Sequence, residues 1–404
     1  MDVYYYIAIA AIFTQAVFLV QMFRNYHYVL SKYHKKRSRY RPKTVVIIPC
    51  KGLDEKFENN ITSFFFLDYS DYLLWFVVSD ESDPAYEKLC QLKDRLAGES
   101  KASRVRILVA GPASSCSQKL HNMLCAYHQL PDDVDVMAFA DSDICVRSDW
   151  LGHLVYPLRK EANGAASGYR WFIPERNNTA TLALSAVNAK IAQLLGQYSY
   201  VQAWGGSMAI RVEVFRRLGL PETWQKAVSD DLSLSCAVKK AGLRVIFVPA
   251  CLVGSYVETT WRELFEFGRR QFLITRIAAP GTWWFGLFSS IYSILGLWAG
   301  AAVAVYAIAV DEPHWLLFTC VPVLFLAGHL WRSTLRQRMI AMLLKDDLPR
   351  MKFAIAADIL GSWLFSLLLL FFILSSAVGR TICWRGIKYK LLGPAETIIE
   401  NTGQ

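Results

Sequence analysis

Four stretches of the chain, 3–23, 285–310, 314–331 and 354–378, run almost without charge. Between the first and the second, the pattern changes to short apolar runs separated by polar, helix-length segments. About 20 apolar residues carry a helix across a bilayer, so the pattern predicts one N-terminal and about three C-terminal transmembrane helices. In the part between them, "KTVVIIPC", "YLLWFVVSD", "RVRILVA", "VDVMAFADSD" and "LRVIFVPA" are β-branched or aromatic runs ending in turn residues, which is how strands read. Strands that do not alternate apolar with polar, spaced by helical lengths, belong to a mostly parallel sheet covered on both faces. The expected class is α/β with a Rossmann-like sheet. The expected layout is an anchor at 1–30, a soluble domain at 41–262, an interfacial segment at 263–284, transmembrane helices at 285–379 and a tail at 380–404.

Composition agrees with a membrane component. Of 404 residues, 54% are hydrophobic and 14% aromatic, more apolar surface than one soluble core of this length needs. The net charge is +10, and its densest run, "SKYHKKRSRYRPK" at 31–43, directly follows the first apolar stretch. That position favours a membrane surface as the partner and argues against nucleic acid. Basic flanks stay in the cytosol, so the domain after residue 41 is expected there, and so is the basic loop at 332–352. Asp311 and Glu312 then mark a short external turn. The tail "RTICWRGIKYK" leaves two sides open, because a single last crossing carries it outside while its charge prefers the cytosol. The first apolar stretch has neither a basic region before it nor a small-residue cleavage site, and is expected to remain as an anchor. The nine cysteines include no CxxC pair, which fits reduced thiols and neither a zinc site nor a disulfide framework. The triplets starting at Asn60 and Asn177 fall in the cytosolic part and read as chance glycosylation matches.

Acidic residues recur where the strands end, and in open sheets of this class ligands bind at the carboxyl ends of the strands. In "AFADSDICV", Asp141 and Asp143 stand one residue apart. Both can turn toward one hard cation to which a diphosphate adds further oxygens, although a surface turn favours the same residue types. "VVSDESDPAYE" ends another strand with Asp80 and Asp83, acceptors for a uracil or ribose, or the polar half of a turn at Pro84. "SDDLSLSCAVKKAGLRV" sets Asp230 and Asp231 before an amphipathic helix, either as a general base for a hydroxyl acceptor or as helix-start acids. Lys119 and Asn122 in "QKLHNM" are candidate phosphate and base contacts, and Gly205 and Gly206 in "WGGSMAI" let the backbone approach a ligand. "EFGRRQFLITR" offers Arg269, Arg270 and Arg276 to a diphosphate or to lipid headgroups.

The order of these motifs resembles the inverting GT-A glycosyltransferases anchored in membranes. More specifically, Lys51 to Asp54, Asn60, Phe64 with Phe65, Asp68 with Tyr69, Ser82 to Ala85 and the ending "CWRGIKYKL" are similar to the ceramide glucosyltransferase family, glycosyltransferase family 21, with its bacterial lipid and hopanoid relatives. The resemblance implies a GT-A domain that takes a UDP-sugar donor and a divalent metal, Mg2+ or Mn2+, and a membrane lipid acceptor such as ceramide. It implies an integral membrane protein with a cytosolic catalytic domain, in a bacterial inner membrane or in the Golgi or endoplasmic reticulum. Asp80 would contact the nucleoside, helped by Lys51, Asp83, Lys119, Asn122, Gly205 and Gly206. Asp141 with Asp143 would serve the metal diphosphate. Asp231 would be the base and Asp230 its neighbour in place of the family's Glu. The box that ordinarily ends in Arg-Trp reads Arg269-Arg270-Gln271-Phe272 here, so Arg269 or Arg270 must supply the cation, or the acceptor differs from ceramide. A processive polysaccharide synthase or a polyprenyl-phosphate glycosyltransferase of the same fold is the alternative enzyme, and a catalytically silent membrane scaffold is the alternative of another class. The few apolar spans and the degenerate box weigh against the synthase, and the intact acids weigh against the scaffold.

Overall fold

The computed structural model describes residues 2–33, 40–54, 56–196 and 201–400; the middle of the basic run, 34–39, lies outside the described residues. In chain order the elements used below are α1 (Asp2–Tyr33), β1 (Thr44–Pro49), β2 (Tyr72–Val78), α2 (Pro84–Arg95), β3 (Arg104–Val109), α3 (Gln118–Tyr127) and β4 (Val136–Ala140). Then come β5 (Asn163–Pro174), α4 (Thr179–Ala192), β6 (Ser207–Arg211), α5 (Asp230–Lys240), β7 (Arg244–Val257) and α6 (Trp261–Ala278). The chain closes with α7 (Pro280–Ala309), α8 (Trp315–Leu343), α9 (Leu348–Ser375), β8 (Thr381–Trp384), β9 (Ile387–Gly393) and β10 (Glu396–Glu400).

The central sheet has seven strands in the order β3-β2-β1-β4-β6-β5-β7. Only β6 runs antiparallel to its neighbours; β1 to β4 are parallel, and so are β5 and β7. The sheet is thus mostly parallel, as the apolar runs predict. Its strands divide their side chains between two cores. Val45, Ile47, Leu73, Trp75 and Val77 enter one cluster, while Val46, Ile48, Leu74, Phe76 and Val78 enter another on the opposite face. Successive side chains of a strand point to opposite faces, so unbroken apolar runs are what a sheet covered on both sides requires. Fully burying one such side chain contributes roughly 1.5–3 kcal/mol. Two strands were not expected. β5, "NGAASGYRWFIP", is rich in small residues, and β6 follows the two glycines directly.

The four long apolar helices are present, one N-terminal and three C-terminal. α1 and α8 pack together, with Tyr4 edge-on to Phe318 and Phe23 stacked on Trp331. In α7, a π-turn at Leu295–Ala299 sets Gly296 against the ring of Phe325 in α8. The tail is a three-stranded antiparallel sheet, β10-β9-β8. Its first hairpin turns on Arg385 and Gly386, both at positive φ, +48° and +81°, which is the two-residue turn that matches strand twist. Tyr389 and Leu391 bury against Val228 and Leu273, and the Tyr389 hydroxyl accepts from the Gln118 amide at 3.2 Å. The tail, left open by the charge pattern, therefore packs on the domain of the seven-stranded sheet.

Candidate active site

The carboxyl ends of β1, β2 and β4 and the start of β6 frame one recess. The register that pairs Ala140 with Ser207 brings the Gly205–Gly206 backbone beside Asp141. A β-carbon on Gly205 would fall 2.1 Å from Asp230 Oδ2, and one on Gly206 would fall 2.7 Å from Asp141 Oδ2. Only glycine lets the main chain pass between the two acidic segments.

Lys119 joins those segments. From the first turn of α3 its Nζ reaches Asp141 Oδ1 at 2.7 Å and Asp230 Oδ2 at 3.0 Å. Burial opposes its charge, but Asp141 and Asp230 outweigh that and push its pKa up, so it stays protonated. The ammonium expected at the phosphate is engaged here by two carboxylates. Asn122 lies one turn further along α3. It is buried, donates to the Val77 carbonyl at 3.2 Å and accepts from Gln118 at 2.8 Å, because this face of α3 packs on β2.

The two acids after β4 differ. Burial works against the charge on Asp141, but Lys119 first, then Arg170 and Arg385, hold its pKa below the ordinary value. Asp143 keeps a buried Oδ1 without a hydrogen-bond partner, and burial together with Asp141 raises its pKa to about 6. An unpartnered carboxylate oxygen beside a second carboxylate fits a divalent cation. Among the described residues no three His, Cys, Asp or Glu side chains gather as a metal cluster.

Asp230 and Asp231 open α5 after Ser229, whose hydroxyl caps the helix by accepting from the Leu232 amide. Asp230 is buried; its contact with Lys119 leaves Oδ2 without a hydrogen bond, and burial raises its pKa to about 6. Asp231 is half-buried and oriented on both oxygens. Oδ1 accepts from Ser229 Oγ at 2.6 Å and the Leu232 amide at 2.7 Å, and Oδ2 accepts from the Gly205 amide at 3.2 Å.

At the end of β2, Asp80 is exposed and accepts from the Ser82 amide at 2.7 Å; the Ser82 hydroxyl first, and then that amide, hold its pKa below the usual carboxylate range. Asp83 Oδ1 caps α2 through the Ala85 amide at 2.9 Å and accepts from the Gly52 amide at 2.8 Å, tying the loop after β1 to the loop after β2. Lys51 Nζ donates to the Arg385 carbonyl at 2.9 Å.

The arginines of α6 separate. Arg269 donates to the Val378 carbonyl at 3.0 Å, and Arg276 bonds the carbonyls of Ala377 and Gly379, so both clamp the end of α9. Arg270 donates to the Cys383 carbonyl of β8 at 3.4 Å and lies over the Phe267 ring. Burial lowers its pKa, and the charges of Arg170 and Arg385 lower it further.

Residues 3–396 match the model of glycosyl transferase family 21. The chain belongs to that family. Similar solved structures include the mannosyltransferase PcManGT from Pyrobaculum calidifontis in complex with GDP-Man and Mn2+, at 14% identity and a TM-score of 0.47, covering 91% of this chain and 97% of that one. Another is the glucosyl-3-phosphoglycerate synthase of Mycobacterium tuberculosis with Mn2+ and UDP-glucose, at 16% identity and a TM-score of 0.33, covering 55% and 74%.

This family-21 glycosyltransferase has two further candidate site residues that sequence reasoning missed. Arg170 of β5 lies over the rings of Phe172, Trp204 and Phe267 and acts electrostatically on Asp141, Asp143 and Arg270. The available signal was a single charge inside the apolar run "GYRWFIP". Arg385 comes from the tail; its Nη1 donates to the Lys51 carbonyl at 2.5 Å, and its Nη2 lies 3.6 Å from Asp54. Arg170 and Arg385 thus act on the Asp141–Asp143 pair, and Arg270 of α6 lies within the field of both. Mutual repulsion makes such a group receptive to a polyanion.

Proposed function

We propose that this glycosyltransferase moves a hexose, glucose by our reading, from a UDP-sugar to the hydroxyl of a membrane lipid such as ceramide, with inversion, at the cytosolic membrane face. The observation that carries the reading is the convergence of a partnerless Asp143, an oriented Asp231 and Arg170, Arg270 and Arg385, beside the amphipathic α6 that leads into the apolar helices. Asp80 is free to accept from the nucleoside. Asp141 and Asp143 would hold a divalent cation, which when bound neutralises diphosphate charge. The arginines orient the same diphosphate and stabilise the negative charge that grows on UDP as its bond to the sugar breaks. Asp231 takes the proton of the lipid hydroxyl while that oxygen bonds to the anomeric carbon. The Lys119 bridge pairs directly with Asp230 and Asp141 and leaves Asp231 without an ion pair to it.

The test is turnover of purified protein in detergent with UDP-glucose and a short-chain ceramide, with products read by mass spectrometry. A hexosyl-ceramide that disappears in excess chelator supports the reading. Transfer only to a polyprenyl phosphate, or a product that lengthens processively, overturns the acceptor assignment. No turnover with any nucleotide sugar leaves the scaffold reading in its place.

A further inference from the structure

We infer that α9, although long and apolar enough to cross a bilayer, does not cross it. It lies along the membrane leaflet next to the catalytic domain and returns the tail to the active site. The inference rests on what each end of the helix touches. Just before its start, Asp347 Oδ1 accepts from the Tyr256 hydroxyl at the end of β7, at 2.6 Å, and Met351 joins the core cluster that holds Val45 and Trp75 of the sheet. At its finish, the Phe372 ring presses on Gly268 of α6, where a β-carbon would come within 2.6 Å. Ser376 Oγ accepts from Trp283 Nε1 at 2.9 Å. Both ends belong to the catalytic-domain side.

The order of crossings gives the same answer. α7 begins where α6 ends, beside the domain, and α8 returns, because Met339, Ile340 and Leu343 near its end join the same sheet core. If α9 crossed next, the tail would emerge on the far side. Yet Arg385 and Lys51 bond to each other, and Tyr389 bonds to Gln118. An even number of crossings after the domain is the only count that permits those contacts.

The faces of the helix fit this placement. Phe353, Leu360, Leu364, Leu367, Phe371 and Leu374 form one exposed stripe at helical spacing. The opposite stripe is buried and carries polar groups that pin the middle of the helix. Lys190 of α4 donates to Ser362 and Ser366 at 3.1 and 3.0 Å, and Arg336 of α8 forms a fully buried pair with Asp358. The 28 residues make about 42 Å of helix, enough to reach from the end of α8 to the start of α7. Its midpoint is immersed, since Trp363 meets Trp298 within α7 at 5.3 Å between centroids. The exposed stripe continues the lipid-facing apolar surfaces of α7 and α8, so the partner of this surface is the acyl region of the adjacent leaflet.

The experiment uses the full chain in sealed vesicles, with the exposed Cys320 and Cys383 replaced by Ser and one reporter added at a time. The reporters are Glu99→Cys in the domain, Pro313→Cys between α7 and α8, and Glu396→Cys in the tail. A membrane-impermeant maleimide is expected to label positions 99 and 396 from the same face and position 313 from the other. Labelling of 396 together with 313 overturns the inference. In the same background, fluorophores on Phe353→Cys, Leu360→Cys, Leu367→Cys and Leu374→Cys are quenched by lipids brominated at known depths. Positions 353 and 374, at the two ends, are expected at one shared shallow depth, with 360 and 367 deeper between them. Depths spread over about 30 Å mean a crossing helix, and no quenching at any position means that protein, such as a second copy of the chain, covers the stripe; either result overturns it.

Discussion

Lys51 and Arg385, 334 positions apart, hold each other reciprocally: Lys51 Nζ donates to the Arg385 carbonyl at 2.9 Å, and Arg385 Nη1 donates to the Lys51 carbonyl at 2.5 Å. The bond pair fastens the tail hairpin to the loop that follows β1, at the mouth of the acidic recess. Arg385→Ala is expected to slow turnover on the order of 10 to 1000-fold, the usual worth of a preorganised charge-stabilising group, with Arg385→Lys recovering part of it. Steady-state kinetics on both variants check this. Turnover unchanged in Arg385→Ala would reduce the hairpin to a structural clasp.

Arg269 and Arg270 are neighbours in sequence but serve different partners. Arg270→Gln should cost turnover to a degree similar to Arg385→Ala. Arg269→Gln should lower thermal stability through the α9–tail connection and leave turnover per folded molecule within a few-fold. Comparing melting temperature with turnover in the two variants separates the roles, and equal kinetic losses would place both at the diphosphate.

Lys119 neutralises two carboxylates at once. Lys119→Met leaves the buried Asp230 unpaired beside the half-buried Asp141, and removing one partner of a fully buried ion pair costs roughly 3–5 kcal/mol, an upper bound here. The expected outcome is a markedly lower melting temperature, partly restored by adding Asp230→Asn. A wild-type melting temperature in Lys119→Met would show that the bridge contributes nothing to the fold.

Asp143 titrates near 6 in the folded chain because burial and Asp141 disfavour its charge. A carboxyl whose folded pKa is raised binds more protons folded than unfolded, so its contribution to stability improves as pH falls through about 6 toward the unfolded value near 4. Turnover moves oppositely, since protonation removes the oxygen meant for the cation. Metal-free Asp143→Asn should therefore melt above wild type at pH 8, with the gap closing at pH 5, while wild-type turnover at limiting cation declines as pH falls. A gap independent of pH would exclude Asp143 as the titrating group.

Asp231 is oriented by Ser229 and Gly205 and is more open than Asp230. Asp231→Asn should lower turnover by about 100-fold or more, as loss of a general base does, with UDP-sugar binding retained. Asp230→Asn should be milder, because its carboxylate faces Lys119. The anomeric configuration of the product, read by NMR, completes the test: retained configuration rules out a single displacement, and an active Asp231→Asn beside a dead Asp230→Asn moves the base by one residue.

The apolar pattern alone was sufficient for the sheet strands β1 to β4 and the beginning of β7, and for the four long helices, since burial on both faces of a sheet and exposure to lipid each select an unbroken apolar run. It was also sufficient to mark Asp141, Asp143, Asp230 and Asp231, because acids at strand ends and helix starts stand out against such runs. β5 and β6 escaped. Their glycines, alanines and serines have little strand preference of their own, and they become strands only because β4 and β7 offer edges to pair with.

What Lys119, Asn122, Arg269 and Arg270 touch, and the arrival of Arg170 and Arg385, were decided by tertiary structure. Side chains far apart in sequence meet only where packing brings their elements together, and no local preference encodes that meeting. The side of the membrane on which the tail lies is the clearest case. Length and hydropathy say that α9 is able to cross a bilayer, and they are properties of one segment; the bonds of Arg385 to Lys51 and of Tyr389 to Gln118 are properties of pairs.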